Sequence, residues 1–311
     1  METKVAIIGA GICGLYLSSK LSERNYKVFV FESKKRVGEK ISSSLYSERV
    51  LDFIPEAKRF IENEIRSSFV NFPQRKIKLI FKRKFFAFNR KGLEKFLYKK
   101  SLSLGTTFYF KNFIEDIPSG FDKVIGCDGT FSIIRKKLNL PETEKWTTFL
   151  GYLPQGDRSD FFEIWPLKKK GFIWKIPRGN VVEYGIIGND YHLKKKFENF
   201  LKNSNIKIEK IFPGMISFDF SLPKNRNITL CGESSGLTKP WSGGGVIWGL
   251  KEAEILLKCF PDFLKYRKEA KKFFGRKIFF SEKITNIVYF LGFNFPRLLP
   301  SEKIIDNDFL L

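Results

Sequence analysis

Three glycines near the amino terminus, and an acid that follows them, have the types and spacing needed to bind a dinucleotide. Gly9, Gly11 and Gly14 form a G-x-G-x-x-G pattern, and Glu32 stands at the end of the next apolar run. In such a pattern the first glycine permits a tight turn, the second lets the backbone approach a pyrophosphate, and the third lets helix and strand pack closely. A carboxylate at the end of the second strand of such a fold accepts hydrogen bonds from ribose hydroxyls.

The segments around these residues are the ones that must position them. Lys4–Ile8 is a short β-type run, an amphipathic helical segment follows the glycines, and Lys27–Phe31 is a second strand that ends beside Glu32. This βαβ unit places phosphates at the amino terminus of the helix, where unpaired N–H groups and the positive dipole end favour anions. The unit alone does not distinguish FAD from NAD.

The sequence offers few of the residues that metal sites, disulfide frameworks and catalytic triads require. The four cysteines are too scattered for a disulfide framework or a zinc site, and His192 is the single histidine. A histidine-based metal centre and a Ser-His-Asp triad are therefore not expected, and no metal is predicted.

Two later segments resemble the flavin-binding segments of the para-hydroxybenzoate hydroxylase-like flavoprotein superfamily. VIGCDGTFSIIRKKL resembles its D-G-x-x-S-x-x-R segment, with matches at Asp128, Gly129, Ser132 and Arg135. ITLCGESSGLTKPWSGGGVIWGL resembles its G-D-A-A-G and P-x-x-G-x-G segment, with matches at Gly232, Gly236, Pro240, Gly243 and Gly245. The resemblance implies that the dinucleotide is FAD.

The same resemblance assigns further roles. Glu233 takes the place of the acid that holds the ribityl chain, and Arg90 resembles an arginine that opens a helix beside the cofactor. Together, the pattern and the resemblance predict cofactor binding by Gly9, Ala10, Gly11, Ile12, Cys13, Gly14, Glu32, Ser33, Arg90, Asp128, Gly129, Gly232, Glu233, Pro240, Gly243, Gly244, Gly245 and Val246.

A middle segment, GFIWKIPRGNVVEYG, resembles the geranylgeranyl reductase signature Y-x-W-x-F-P-x7-G. Trp174, Pro177 and Gly185 match, whereas Phe172 and Ile176 replace the signature Tyr and Phe. In that family the segment lines the cavity for a polyprenyl chain, so the resemblance implies a substrate-lining role for Phe172, Trp174, Pro177 and Gly185, to which we add Trp241. The implied reaction is hydride transfer from reduced FAD to a carbon-carbon double bond of a polyprenyl lipid or quinone side chain.

The chain departs from that family at VGEKISSSLYSERVLDFIP. This stretch resembles the family's C-G-x-G-L segment near the flavin, but Ile41 replaces the cysteine and Ser42 and Ser44 replace glycines. No role of that cysteine carries over. The proton donor stays open among His192, Tyr184 and a water molecule, and FAD would be reduced by NAD(P)H or by ferredoxin.

The expected fold is α/β, with a Rossmann-like FAD-binding domain of the glutathione reductase type and an inserted antiparallel substrate-binding sheet. The predicted FAD-binding domain comprises residues 1–72, 84–145 and 225–262, the sheet domain 73–83 and 146–224, and a helical tail 263–311. The segment Glu48–Ile65 is expected to be helical, with a break at Pro55.

The composition restricts the classes of partner but identifies no single partner. The net charge is +23, and the tail is rich in Phe and Lys. Such a charge attracts anionic membranes, acidic proteins or nucleic acid, but no nucleic-acid motif accompanies it, so nucleic acid is not expected. With no signal peptide and no long apolar run, the expectation is a cytoplasmic protein, with peripheral attachment at the inner membrane face left open.

Two other functions fit the same segments. An FAD-dependent aromatic monooxygenase would use the same flavin-binding residues. A non-catalytic lipid or quinone carrier could retain the flavin fold without the reaction.

Overall fold

The structure is a computed structural model that describes residues 2–306 and Asp308. Residue 1, where the predicted FAD-binding domain begins, and residues 307 and 309–311, in the predicted tail, lie outside the described residues. The chain divides into two units: Met1–Lys40, Arg90–Glu144 and Ser217–Phe279 form unit 1, and Ile41–Asn89, Lys145–Ile216 and Phe280–Leu311 form unit 2.

In chain order the strands are β1 (Lys4–Ile8), β2 (Lys27–Phe31), β3 (Leu45–Ser47), β4 (Ile61–Phe72), β5 (Arg75–Phe88), β6 (Thr107–Tyr109), β7 (Lys123–Gly126), β8 (Lys145–Leu153), β9 (Phe161–Pro166), β10 (Gly171–Pro177), β11 (Val182–Gly188), β12 (Ile211–Ser217), β13 (Ile228–Leu230) and β14 (Glu302–Ile305). The α-helices are α1 (Ile12–Ser22), α2 (Val50–Phe53), α3 (Arg90–Ser103), α4 (Ile133–Lys137), α5 (Leu193–Asn203), α6 (Val246–Cys259) and α7 (Phe263–Asn294).

Unit 1 is built on a parallel sheet. Its described strands run in the order β13-β7-β1-β2-β6, and every pairing between them is parallel. Strand β1 is buried from Val5 to Ile8, and α1 buries most of its length against β1, β2, α3 and α6. A strand covered in this way needs a continuous apolar run, which is why its sequence lacks the alternation of a half-exposed strand.

Unit 2 is built on a mixed sheet that is mainly antiparallel. Its described strands run in the order β12-β8-β11-β10-β9-β4-β5-β14, and β3 also pairs with β5. The β4–β9 and β5–β14 pairs are parallel. Helix α5 covers one face of this sheet at β8 and β11, because Leu193, Phe197 and Leu201 point into it from one side of the helix.

One predicted helix is wrong. Within Glu48–Ile65 the structure contains only α2 and a 3-10 helix, Pro55–Phe60, before strand β4 begins at Ile61. The reason is tertiary pairing, because β4 pairs antiparallel with β5 over most of its length and buries Ile65 completely. Sheet partners of this kind override local helix preference.

The division of the chain also differs from the one expected. Residues 41–72 and 84–89 belong to unit 2, because β3, β4 and β5 are strands of its sheet. The tail is a single long helix followed by β14, a strand that was not expected. Among the described residues, no helix is both long and apolar enough to cross a membrane.

Candidate functional site

Each of the three glycines after β1 has a different structural environment. Gly9 has φ +101°, and a Cβ there would lie 2.4 Å from the carbonyl oxygen of Cys127. A Cβ on Gly14 would lie 2.0 Å from the carbonyl oxygen of Gly9. Gly11 differs, because among the described residues, its chain neighbours aside, a Cβ there meets no atom within 4 Å. The first and third glycines are thus required by the fold, whereas the space above Gly11 is open to a ligand.

The beginning of α1 presents backbone donors to that space. Gly11 is the N-cap residue, and no side chain caps the helix. The first N–H groups of a helix have no intrahelical acceptor, so an uncapped terminus suits an anion. Glu32 lies beside it, where its carboxylate accepts hydrogen bonds from the backbone N–H of Ala10 and of Lys34, both at 2.8 Å.

Asp128 follows β7 and uses only one of its carboxylate oxygens within the described chain. Oδ2 accepts from the backbone N–H of Ile133 at 2.7 Å and of Ile134 at 3.3 Å, which fixes the start of α4. Oδ1 is buried and has no hydrogen-bond partner among the described residues. Burial raises the pKa of Asp128. A buried acceptor without a partner is costly, so Oδ1 fits a ligand that donates a hydroxyl.

Glu233, after β13, is held by two side chains at positions that the sequence motifs leave unspecified. It forms an ion pair with Lys40, and its Oε1 accepts from Thr130 Oγ1 at 2.7 Å. Burial raises the pKa of Glu233, but the charge and hydrogen bond of Lys40 outweigh it and hold the pKa below its ordinary value. Arg90, which also pairs with Glu94 at 2.7 Å, lowers it further through its charge.

A glycine-rich loop leads into α6. Gly243 has φ +65°, and its N–H donates to the carbonyl of Lys239 at 2.9 Å. Gly245 is the N-cap of α6, again without a side-chain cap. The ring of Trp241, in the same loop, lies 5.7 Å from that of Trp248 in α6. The loop therefore offers a second helix terminus with open backbone donors.

In unit 2, Trp174 and Gly185 are a matched pair across β10 and β11. They are direct partners in the strand register, and a Cβ on Gly185 would lie 2.2 Å from the indole ring. The indole Nε1 donates to Glu183 Oε1 at 2.8 Å, and Trp174 is 8% exposed. The indole ring of Trp174 thus occupies the space that a side chain at Gly185 would need, which is why a tryptophan at one position requires a glycine at the other.

Arg178 completes this buried network. It donates to Glu183 Oε2 at 3.1 Å, to Glu62 Oε2 at 2.6 Å and to the carbonyls of Ser43 and Phe88. Burial raises the pKa of Glu183, and the charge of Arg178 opposes that rise. A buried carboxylate needs such partners, and removing any of them leaves an uncompensated group.

Around Trp174 the sheet presents an apolar, aromatic face. Strand alternation puts Phe172, Trp174, Ile176 and Ile187 on this face, while Tyr184 lies on the other, beneath α5. Several members are only partly buried: Leu45, Phe81, Phe85, Trp146, Tyr152, Ile164, Phe172, Phe212 and Ile216.

The predicted site residues fall into two groups. The predicted cofactor residues all belong to unit 1. Phe172, Trp174, Pro177 and Gly185 lie together on β10 and β11 of unit 2, whereas Trp241 belongs to unit 1. Ser42 and Ser44 are in unit 2, where their hydroxyl oxygens lie 3.1 Å apart.

Of the candidate proton donors, His192 is exposed at the start of α5 and Tyr184 lies on the face opposite Trp174. Sequence reasoning missed Tyr152, which shares the face of Trp174 and is the register partner of Glu183. Burial, together with the charge of Glu183, raises the pKa of the Tyr152 hydroxyl, which therefore holds its proton more tightly than an ordinary tyrosine does.

Comparison with known proteins agrees with this architecture. The NAD(P)-binding Rossmann-like domain family matches residues 7–57, and no curated protein matches the chain. A geranylgeranyl bacteriochlorophyll reductase-like protein from Thermoplasma acidophilum is similar at TM-score 0.81 and 18% identity, over 93% of this chain and 88% of that one.

Two further solved structures share the fold. PqsL, a probable FAD-dependent monooxygenase from Pseudomonas aeruginosa, is similar at TM-score 0.74 and 13% identity, over 96% of this chain and 98% of that one. A variant of the halogenase PltM in complex with FAD is similar at TM-score 0.67 and 13% identity, over 95% of this chain and 78% of that one.

These similarities define the class of fold. The chain has the fold shared by flavoprotein monooxygenases, halogenases and reductase-like proteins, with a Rossmann-like parallel sheet and a separate, mainly antiparallel sheet. The resemblance that the motifs predicted is confirmed at the level of the fold.

Proposed function

We propose that this chain is an FAD-dependent oxidoreductase and that unit 1 binds the FAD. Four features support the fit: the open space above Gly11, the uncapped start of α1, the carboxylate of Glu32, and the buried Oδ1 of Asp128 that lacks a partner among the described residues. Together they offer N–H donors for a pyrophosphate and acceptors for hydroxyl groups, the two needs of an FAD adenosine and ribityl chain.

When bound, FAD supplies hydride chemistry that no side chain can supply. The chain's part is to bind and orient. Lys40 and Thr130 fix the carboxylate of Glu233, so that a contact from it has a defined direction. The start of α6 at Gly245 adds backbone donors suited to the polar edge of a flavin ring.

The substrate we propose is a polyprenyl lipid, or the polyprenyl side chain of a quinone, whose carbon-carbon double bonds are reduced. The observation that carries this is the aromatic face of the unit 2 sheet around Trp174, because a long hydrocarbon needs an extended apolar wall. The similarity to the Thermoplasma reductase-like protein favours the same substrate class.

Reduction of a double bond also needs a proton, and Tyr152 is the residue that we propose to hold it. Its hydroxyl stays protonated at neutral pH, and its side chain shares the face of Trp174. A side chain can transfer a proton only when it lies within hydrogen-bond reach of the accepting carbon. The proposal therefore requires that Tyr152 Oη lie this close to the double bond of the bound substrate.

An aromatic monooxygenase is the second candidate. It is favoured by the similarity to PqsL and by the aromatic character of the same face, which also suits a flat ring. The two candidates differ in their need for oxygen: double-bond reduction proceeds anaerobically, whereas hydroxylation consumes O₂.

The deciding experiment mixes the dithionite-reduced flavoprotein with a geranylgeranyl lipid under argon and analyses the lipid by mass spectrometry. Double-bond reduction predicts flavin reoxidation and a gain of two hydrogens per reduced bond. NAD(P)H oxidation that starts only with an aromatic compound and O₂ would support the monooxygenase instead. A purified protein that takes up no FAD would support a lipid carrier and overturn both enzymatic proposals.

A further inference from the structure

The carboxyl-terminal half of α7 exposes large apolar side chains to solvent. Ile284 is 48% exposed, Ile287 57% and Phe290 58%. In the segment that follows the helix, Phe295 is 52% and Leu298 70% exposed. Exposed apolar residues are ordinary when single, but a contiguous group of this size marks an interaction surface.

The helical spacing gathers these residues on one side. Ile284, Ile287 and Phe290 follow one another at intervals of three, so they form a strip along the outer surface of the helix. The rings of Phe290 and Phe295 lie 5.8 Å apart, which joins the strip to the segment after the helix. We refer to these four residues, with Leu298, as the apolar strip.

Other residues of the same stretch already anchor the helix to the unit 2 sheet. Tyr289 Oη donates to the carbonyl of Gly171 at 2.8 Å, and Val288, Leu291 and Phe293 pack against the buried cluster that includes Phe72. A Cβ on Gly292 would lie 2.2 Å from the Phe72 ring, so the helix and sheet are in close contact there. The apolar strip is therefore not what holds the helix in place.

The amino-terminal half of α7 carries a different surface. Five basic residues there are exposed: Lys265, Lys268, Lys271, Lys272 and Arg276. One continuous helix thus presents basic groups along its first turns and apolar groups along its last. The whole chain carries a net charge of +23.

We propose that α7 docks the protein on an anionic lipid bilayer, with the apolar strip entering the boundary between headgroups and acyl chains and the basic residues meeting lipid phosphates. Apolar burial and attraction to anionic lipid add together in helices that lie in the interface. Long basic side chains can lie along the surface while their charges reach phosphate. The high positive charge of each copy disfavours a second copy as the occupant and favours an anionic surface.

Vesicle flotation tests the proposal with the full-length protein. We expect binding to vesicles of phosphatidylcholine with phosphatidylglycerol at low salt, and weaker binding to phosphatidylcholine alone or at high salt. The double variant Ile287→Ser/Phe290→Ser should lower the partition coefficient about tenfold or more, because two large apolar groups no longer leave water.

Phe113→Ser is the matched control, since Phe113 is 63% exposed but lies far from α7 in sequence. It should bind like the unmodified protein. Leu298→Ser offers a second test outside the helix, should the double variant unfold.

Three results would overturn the proposal. These are an absence of binding to anionic vesicles at low salt, an equal loss for Phe113→Ser and the double variant, and a dimer in sedimentation that the double variant dissociates while vesicles bind neither protein. None depends on FAD or on turnover, so the proposal stands or falls separately from the proposed function.

Discussion

Glu252 shows how strongly the surroundings of a single residue in unit 1 change its chemistry. Its carboxyl oxygens accept hydrogen bonds from the N–H of Gly232 at 2.6 Å and from Tyr266 Oη at 2.8 Å. Burial raises the pKa of Glu252 from its ordinary value of 4.5 to about 8, against the effect of these hydrogen bonds. Tyr266 Oη also lies 2.9 Å from the carbonyl oxygen of Leu230, which can accept the same hydroxyl proton.

The raised pKa predicts a pH dependence of stability. The unfolded chain releases the proton near pH 4.5, whereas the fold keeps it to about pH 8, so the free energy of unfolding falls as pH rises through this range. Glu252→Gln should remove that fall: it should match the unmodified protein at pH 5 and exceed it by about 2 kcal/mol or more at pH 8. Urea unfolding at the two pH values measures this. A variant that is less stable at pH 8 would show that Glu252 is ionised in the fold.

Tyr152 makes a prediction about the reaction. Tyr152→Phe should lower the rate of double-bond reduction about 100-fold or more, the usual range for loss of a positioned proton donor, while FAD binding is unchanged. Tyr184→Phe is the control, because Tyr184 lies on the opposite face of the same sheet. Equal rates for the two variants would remove Tyr152 from the reaction.

At the scale of secondary-structure elements, the sequence was most informative where a pattern is local. The bounds of β1 and β2 were predicted to the residue, because a continuous apolar run defines each of them. The predicted helix Glu48–Ile65 overlaps the first residues of β4, Ile61 to Ile65, because charged and apolar residues there fit either period, and only the pairing of β4 with β5 decides. Strand β14 gave no local signal, since its position depends on pairing with the distant β5.

The pairing of β10 and β11 predicts the cost of altering Trp174. Trp174→Phe should lower the free energy of unfolding by about 1–3 kcal/mol, because Glu183 Oε1 loses its donor while remaining buried. Trp165→Phe makes the same change on the opposite face, where the ring packs against Phe200 at 5.0 Å. Denaturant unfolding of both variants is the measurement. A smaller cost for Trp174→Phe than for Trp165→Phe would show that the hydrogen bond to Glu183 contributes little.

At the scale of the whole molecule, the sequence predicted the two-part fold, because the ordered motifs are specific, but not where one part ends. Lys40 and Thr130 could not be recognised as partners of Glu233, since both occupy positions that the motifs leave unspecified and they are distant from it in sequence. Similarly, Tyr152 shares a face with Trp174 only through the pairing of β8 with β11.

The net charge predicts how electrons reach the flavin, if ferredoxin is the donor. An acidic ferredoxin should be steered by a protein of charge +23, so the second-order rate of flavin reduction should fall about tenfold or more as ionic strength rises. Stopped-flow absorbance at low and high salt measures this, with NADPH as the comparison. A rate that is independent of salt would contradict the electrostatic account.

The most direct test of the central claim, that unit 1 binds FAD at its glycine-rich turn, is an FAD titration of Gly11→Val together with a thermal melt without FAD. Gly11 has ordinary backbone geometry, and a Cβ there meets no atom of the described part of the chain within 4 Å apart from its neighbours in sequence, so the apo protein should melt as before. FAD affinity should fall about 100-fold or more, since the new side chain fills the space that a pyrophosphate must enter. Unchanged FAD affinity in a variant with an unchanged melting temperature would contradict the account.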